Sequence, residues 1–491
     1  MRELRKVKTG WCNGFGGMGR CRSVILALIL LIPLTVMFES AALAAPRPVR
    51  NVVWEGDSVP ITGGGYFTVF DEPFVNTQGD VVFNADYYSY DLGETRGGTF
   101  LVLGGTLYPI VVSGQYINSD IGTVTLLNAW YIDGPIFNNS GTVGLVIRGI
   151  YDESPSGNTA AVLQKTVAGS LTVIAKKGDS VPNTTTGVFE DFDDMSMNNN
   201  DDFAFIAVYT EDGGTTFKTG VFLKPSSGAL VSIVLDGATL PGTGGGTLCG
   251  GEGGSIDGPW VNDSQAVAFK VDCITGGTGG LEGSAFIKRP GYSLESFVLI
   301  GDAAPSSIGG TISDFTLGRP ALNNSNTLGF TASISGGSVE SAIVTKQLGG
   351  SPVACVKVGD PAPDTHTTFD GFAWPALNQN GMLVFQADFA GDVIERQGLF
   401  TCQNGVVRAV VLQGDPIPER SGYFSTEVEE QSLSDTGQVV FLHEEYPMGV
   451  FVSLPIEVSV AVPTLSQWAM MVMVSLLVLV GIYAIRRRRT A

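Results

Sequence analysis

Between residues 49 and 454 the apolar residues come in short runs, each bounded by Gly, Asn, Asp or Pro. The first of these read YFTVFDEPFV (Tyr66–Val75), DVVFNADYY (Asp80–Tyr88), GTFLVLGG (Gly98–Gly105) and TLYPIVVSG (Thr106–Gly114). β-Branched and aromatic residues suit a pleated surface and the bounding residues suit turns, so each run predicts a short strand. Nothing between the two ends of the chain sustains a 3.6-residue apolar period, which leaves no expected helix in the body.

The strand pattern recurs. The sequence Asn-x-x-Gly-x-x-x-Phe appears as NTQGDVVF at Asn76 and NQNGMLVF at Asn378, with looser copies NNSGTVGL at Asn138, NNNDDFAF at Asn198, NDSQAVAF at Asn262, NNSNTLGF at Asn323 and SDTGQVVF at Ser434. These seven copies are spaced 62, 60, 64, 61, 55 and 56 residues apart. A second signature runs in phase, an apolar stretch ending in Gly-Asp with Pro three residues on. It reads VVWEGDSVP at Val52, IAKKGDSVP at Ile174, VLIGDAAP at Val298, CVKVGDPAP at Cys355 and VVLQGDPIP at Val410, while VVSGQYIN at Val111 and VLDGATLP at Val234 depart from it.

Four strands per period, seven times, is the arithmetic of a β-propeller, whose blades are four-stranded sheets set radially around a channel. The seventh period is one strand short, and the segment VRNVVWEGD (Val49–Asp57) matches the last strand of every other period. The expectation is therefore an all-β, seven-bladed β-propeller closed by an N-terminal strand, since closure removes two exposed sheet edges. A linear β-solenoid is the runner-up, and two smaller propellers or sandwiches come third.

The ends carry addresses. Six basic residues precede the apolar run Val24–Phe38, and the small residues Ala42 and Ala44 follow it at the −3 and −1 positions, the layout of a secretory signal peptide, with an uncleaved anchor as the other reading. Ala469–Ile485 is uncharged and just long enough to span a bilayer, and Arg486–Arg489 place the C-terminus in the cytoplasm. The expected domains are a signal peptide (1–44), the propeller (45–455), a linker with sorting motif (456–468), a transmembrane helix (469–485) and a basic cytoplasmic tail (486–491).

Val462, Pro463, Thr464 and Leu465, followed by Trp468, the apolar run and the arginine cluster, resemble the IPTL-CTERM sorting signal of Gram-negative bacteria. Val462 stands where that family usually has Ile, and Ala469 where it often has Gly. The resemblance implies export, recognition by exosortase-like or other sorting machinery, and a chain held in the inner membrane or processed to the cell surface. The double repeat signature also resembles the NxxGxxxAF-type "choice-of-anchor" tandem-repeat surface proteins, from Val49 to about Leu454, although Ala-Phe survives only at Ala204-Phe205 and Ala268-Phe269. That resemblance implies surface display and no particular chemistry.

The net charge of −20 becomes more negative once the basic ends are set aside, which disfavours nucleic acid and anionic lipid as partners. Four cysteines remain in the body. Cys249 and Cys273 flank one expected strand pair and are the expected disulfide, although three pairings are open.

Catalytic patterns are absent from the sequence. The two histidines, His366 and His443, lie in different periods, no serine sits in a nucleophile elbow, and GFGGMG at Gly14 follows no strand. The acids of the Gly-Asp signature, Asp57, Asp179, Asp302, Asp360 and Asp415, would form a ring on one face able to hold calcium, with a turn-forming role as the plainer reading. The cluster Glu190, Asp191, Asp193, Asp194, Asp201 and Asp202 is the densest candidate for a metal but lacks EF-hand spacing. Trp130, Trp260 and Trp374 precede or flank the Asn turns in three periods, as sugar platforms or as packing between blades. These observations point to an exported, non-enzymatic binding or structural module for carbohydrate or extracellular matrix. The alternative is an extracellular glycan hydrolase or lyase using carboxylates on one propeller face.

Overall fold

Each run of β-branched and aromatic residues is a strand in the computed structural model, and each period is an antiparallel sheet built on four strands, extended to six in blade 2 and, by Pro361–Ala362, to five in blade 6. Described are residues 48–454 apart from 114–115, 120–121, 127–131, 152–157, 168, 252–255, 391–395 and 426–430. The expected signal peptide, sorting motif and C-terminal helix lie outside the described residues, among which no helix is long and apolar enough to cross a membrane.

Blade 1 is built in chain order from Gly65–Val75, Val81–Ser89, Glu94–Leu103 and Thr106–Val112. The inner strands of the other blades are Ile132–Phe137, Val188–Met197, Ile256–Val261, Thr311–Leu322, Thr367–Leu377 and Ser432–Leu433. Blade 2 carries an added hairpin, Tyr116–Ser119 with Gly122–Leu126, and blade 4 an added ribbon, Thr247–Leu248 with Ile274–Thr275. Blade 7 is completed by Val49–Trp54, which pairs antiparallel with Gly449–Ser453 from Val49 opposite Ser453 to Trp54 opposite Gly449. The expected N-terminal closure is thus the observed one.

Seven hydrophobic clusters fill the seven spaces between neighbouring blades. The last residue of the Asn signature is fully buried in each: Phe83, Leu145, Phe205, Phe269, Phe330, Phe385 and Phe441 are all 0% exposed. In blades 1, 3 and 6 it belongs to an aromatic triad whose first and third rings meet edge-on at 4.9 Å, namely Phe67–Phe100, Phe189–Phe222 and Phe369–Phe400. Burying such side chains contributes roughly 2–3 kcal/mol each before entropy is counted, which is why the Phe positions, not the polar ones, carry the period into a core. The cluster between blades 7 and 1 contains Val53 and Val59 beside Val440 and Val452, so the first described strand seals the ring.

Two disulfides join the body. Cys249–Cys273 ties the added ribbon of blade 4, and Cys355–Cys402 staples the outer strand of blade 5 to the third strand of blade 6.

Candidate functional site: the central channel

Each inner strand runs from a Gly-Asp corner on one face to an Asn turn on the other. At the corner the Asp side chain accepts the backbone N–H three residues back: Trp54 to Asp57 (2.8 Å), Lys176 to Asp179 (3.0 Å), Leu299 to Asp302 (3.1 Å), Lys357 to Asp360 (3.1 Å) and Leu412 to Asp415 (2.9 Å). The preceding glycine holds φ +85° in both copies of GDSVP, a region closed to most side chains, and its N–H bonds the next blade's inner strand. The five acids therefore stand on separate corners, each committed to its own turn. Among the described residues no three His, Cys, Asp or Glu side chains gather as a group able to hold a metal ion.

The Asn turns form the opposite rim. In six blades the Asn side-chain oxygen accepts the N–H groups two and four residues on, as Asn378 does from Asn380 (3.0 Å) and Met382 (2.9 Å). The amide nitrogen reaches the next blade: Asn138 donates to the Asn198 carbonyl, Asn198 to Asn262, Asn262 to Asn323 and Asn378 to Ser434, all at 2.8–3.0 Å. One residue further, the backbone N–H of Thr77, Asn139, Asn199, Asp263, Asn324 and Gln379 is accepted by the side chain of its counterpart in the following blade. The motif is a rim of linked turns, and its second residue faces the axis closely enough for Asn139 in blade 2 to reach Asp435 in blade 7 at 3.3 Å.

Below this rim every described inner strand with a continuous ladder is bulged. The pairing skips between Asp71 and Phe74, Asp133 and Ile136, Phe192 and Met195, Asp257 and Trp260, Leu317 and Leu322, and Ala373 and Ala376. A bulge re-aims a side chain away from the ladder, here toward the lumen. The residue four before each Asn turn is Glu72, Gly134, Asp194, Gly258, Arg319 and Trp374 in blades 1 to 6, with Glu430 of blade 7 outside the described residues. Glu72 and Trp374 hold positive φ at this bulge, 44° and 36°, a strained backbone that persists only where the fold enforces it.

Arg319 connects this level of the channel. Its Nη1 lies 3.1 Å from Glu72 Oε1 and its Nη2 pairs with Asp194 Oδ1, while Glu72 Oε2 accepts the Gly134 N–H at 2.5 Å. Blades 1, 3 and 5 are not neighbours, so their side chains can meet only at the axis. The side chains keep 42% (Arg319), 25% (Glu72) and 32% (Asp194) of their surface open, as expected for a water-filled lumen. Burial pushes the Asp194 carboxyl above the usual range, with Asp193 and Asp257 adding to the effect and Arg319 opposing it. Asp257 is raised in the same way, first by burial. The arrangement presents hydrogen-bond donors and acceptors at the axis beside the half-exposed Trp374, whose carbonyl accepts Gln431 Nε2 at 2.5 Å.

The remaining sequence candidates are dispersed. Glu190 pairs with Lys177 at 3.0 Å, Asp191 accepts its neighbour's N–H, Asp193 and Asp194 form the blade 3 bulge, Asp201 accepts from Asn138, and Asp202 from Asn198. Trp260 is buried between blades 4 and 5, so it packs where Trp374 is exposed, and Trp130 lies outside the described residues. His443 is buried, accepting the Ser425 N–H at Nε2 (3.1 Å) with Nδ1 3.3 Å from the Pro447 carbonyl, a structural role. Arg319 belongs to neither recurring signature of the sequence. The signal was present, because aligning the seven copies puts one basic residue in a column otherwise made of Glu, Asp, Gly and Trp.

A family model described as "Family of unknown function (DUF7453)" matches residues 44–343 and 252–450, and the IPTL-CTERM motif matches residues 460–489. That motif marks the chain as exported and sorted to the cell surface. No curated protein matches the chain. Among solved structures it is similar to acylaminoacyl peptidase of Pyrococcus horikoshii (9% identity, TM-score 0.46, 81% of this chain and 52% of that one). It is also similar to the β-propeller domain of the Trilobed protease from Pyrococcus furiosus (9%, 0.46, 79% and 93%) and to the Dos1 propeller (9%, 0.37, 84% and 95%). The chain thus spans about half the length of the first of these.

Proposed function

We propose that this chain, which belongs to the DUF7453 family, is a surface-displayed binding module and not an enzyme, taking a carbohydrate or extracellular-matrix component into its central channel. In this reading residues 1–44 direct export, and Val462–Leu465 with Trp468 present the tail to exosortase-like machinery. Residues 469–485 hold the chain in the membrane until it is processed, in keeping with the choice-of-anchor resemblance.

The observation that supports it is the meeting of Arg319, Glu72 and Asp194 at the axis, open to water, with Trp374 half exposed at the same register position. Sites for small polar ligands are concave, with a few convergent polar groups and an aromatic wall. Sugar hydroxyls pair with carboxylate and guanidinium, and an indole face covers the apolar side of a pyranose. Both carboxylates at the axis are bound to Arg319, which argues against a free acid–base pair.

The raised carboxyl of Asp194 favours one second reading, since a general acid needs that shift. A screen of the 45–455 body against a panel of oligosaccharides separates the two. Saturable binding that weakens about tenfold or more in Trp374→Ala and Arg319→Ala supports the module, an effect of the size expected for losing a well-placed contact. Released product, lost in Asp194→Asn, transfers the function to the hydrolase or lyase, and no binding to any member of the panel ends both.

A further inference from the structure

Where the corner bridge is described, the residue that makes it differs at the seam where the ring closes. The residue that bridges back to the corner, where the chain turns toward the inner strand, is Val188 in blade 3, Thr247 in blade 4, Thr311 in blade 5 and Thr368 in blade 6. In blades 7 and 1, which are neighbours through the closing strand, the same position is Tyr423 and Tyr66. The turn between the second and third strands repeats the contrast. It carries Tyr90 and Leu92 in blade 1 and Tyr446 in blade 7, where the turns of blades 3, 4 and 5 contain paired glycines and no aromatic residue.

These rings are open. Tyr423 is 71% exposed, Tyr446 85% and Tyr90 63%. In blade 1 they are also preorganised: Tyr66 stacks on Tyr88 at 5.5 Å, and Tyr90 leans on both at 5.9 and 6.3 Å. The Tyr90 ring further lies where a Cβ on Gly64 would touch it, 3.5 Å away. Rings fixed by one another lose little freedom on binding, which is how tyrosine supplies contact area at low entropic cost.

The charge around the rings selects the ligand. The corner segments of the two blades hold Glu55, Asp57, Asp91, Glu94, Asp415, Glu419, Glu444 and Glu445 against two arginines. Both arginines are occupied, Arg96 on Glu94 and Arg420 over the Trp54 ring at 4.2 Å. Such a surface repels acidic polymers, while carboxylates accept hydrogen bonds from sugar hydroxyls. Equivalent tyrosines presented by successive blades also suit a ligand that itself repeats.

We propose that the corner face of blades 7 and 1 is a docking surface for a neutral polysaccharide chain, with Tyr66, Tyr88, Tyr90, Tyr423 and Tyr446 as its stacking contacts. This surface is separate from the lumen and rests on the reading of the chain as a carbohydrate-binding module. The test is affinity electrophoresis and calorimetry of the 45–455 body with soluble neutral polysaccharides (laminarin, dextran, xyloglucan), with alginate as the acidic comparison and polylysine as a basic polypeptide. The variant is Tyr90→Ala/Tyr423→Ala/Tyr446→Ala, chosen because these side chains are exposed and their loss spares the core. Trp374→Ala is run in parallel.

Binding to a neutral polysaccharide but not alginate, weakened tenfold or more in the triple tyrosine variant with its melting temperature unchanged, supports the surface. Neutral binding untouched by the triple variant but lost in Trp374→Ala overturns the surface and leaves the channel module standing. Retention by alginate, or binding of polylysine alone, overturns the choice of ligand. Absence of binding to every saccharide overturns both proposals together.

Discussion

Arg319 of blade 5 holds Glu72 of blade 1 at 3.1 Å, across 247 residues of sequence and through the middle of the ring. A pair this open to solvent is screened and worth less than a buried one. Its loss nonetheless leaves Glu72 and Asp194 at the axis without their common partner, in a place where burial already disfavours the Asp194 charge. Replacing Arg319 with Leu is expected to lower stability by about 1–2 kcal/mol in urea unfolding. A double-mutant cycle with Glu72→Gln should return a coupling of roughly 1 kcal/mol, and a coupling indistinguishable from zero would remove the cross-channel contact from the account.

The Asn turns predict a steeper effect. Asn378 is 2% exposed, accepts two backbone N–H groups of its own turn and donates to the Ser434 carbonyl of the next blade. Alanine there strands buried backbone donors and a carbonyl, at a cost of about 2–4 kcal/mol. Aspartate keeps the acceptors that hold the turn but sets a carboxylate oxygen against the Ser434 carbonyl, so Asn378→Asp keeps the turn, breaks the link and should be the milder change. Equal losses for the two variants, measured by chemical denaturation, would mean that the link to blade 7 carries the stability and the turn does not.

Much of this was readable in the chain because a repeat announces its structure seven times. The Asn and Gly-Asp signatures gave the strand ends, the missing strand of blade 7 and the role of Val49–Trp54 in closing it. The corner aspartates were legible as turn formers, and their carboxylates are all turned back on the chain. The channel was harder to see. Its residues are those that break the repeat, and a search for what recurs passes over Arg319, Glu72 and Asp194. Trp260 and Trp374 looked alike for the related reason that a bulge of one or two residues decides between packing and exposure. A bulge leaves little mark in composition.

The closing strand predicts how the fold fails. Trp54 meets Phe451 edge-on at 5.1 Å, and Val53 lies in the cluster between blades 7 and 1. Removing residues 45–54 from the body exposes the edge of Gly449–Ser453 and opens that cluster to water. Unpaired edges with apolar flanks template association. The truncated body should therefore elute as aggregate in size-exclusion chromatography and bind a hydrophobic dye, whereas a soluble, cooperatively melting monomer would show that closure is dispensable.

Cys355–Cys402 spans 47 residues and crosses from blade 5 to blade 6, whereas Cys249–Cys273 closes 24 residues within one blade. A bridge over the longer loop restricts the unfolded chain slightly more, about 4 kcal/mol against about 3.4 kcal/mol in the loop-entropy account. The double variant Cys355→Ser/Cys402→Ser is expected to lose more stability than Cys249→Ser/Cys273→Ser under oxidising conditions. The reverse order in denaturant midpoints would mean that the ribbon of blade 4 matters more than the staple between blades.

His443 gives the fold a dependence on pH whose sign follows from its surroundings. The ring is 1% exposed between Phe424 and Phe451, and burial pushes its pKa below the ordinary value near 6.5, only partly offset by the Pro447 carbonyl and Glu445. Its Nε2 accepts the Ser425 N–H, so the native ring is the neutral form. The unfolded chain takes up its proton first as pH falls, so this contribution is fully present above the ordinary histidine value and is lost as pH drops through it toward the lowered native one. The melting temperature should thus decline between pH 7 and pH 5, and His443→Gln, which cannot titrate, should flatten that decline while lowering the plateau at pH 7. A variant whose slope over this range matches the parent would assign the acid sensitivity to other groups.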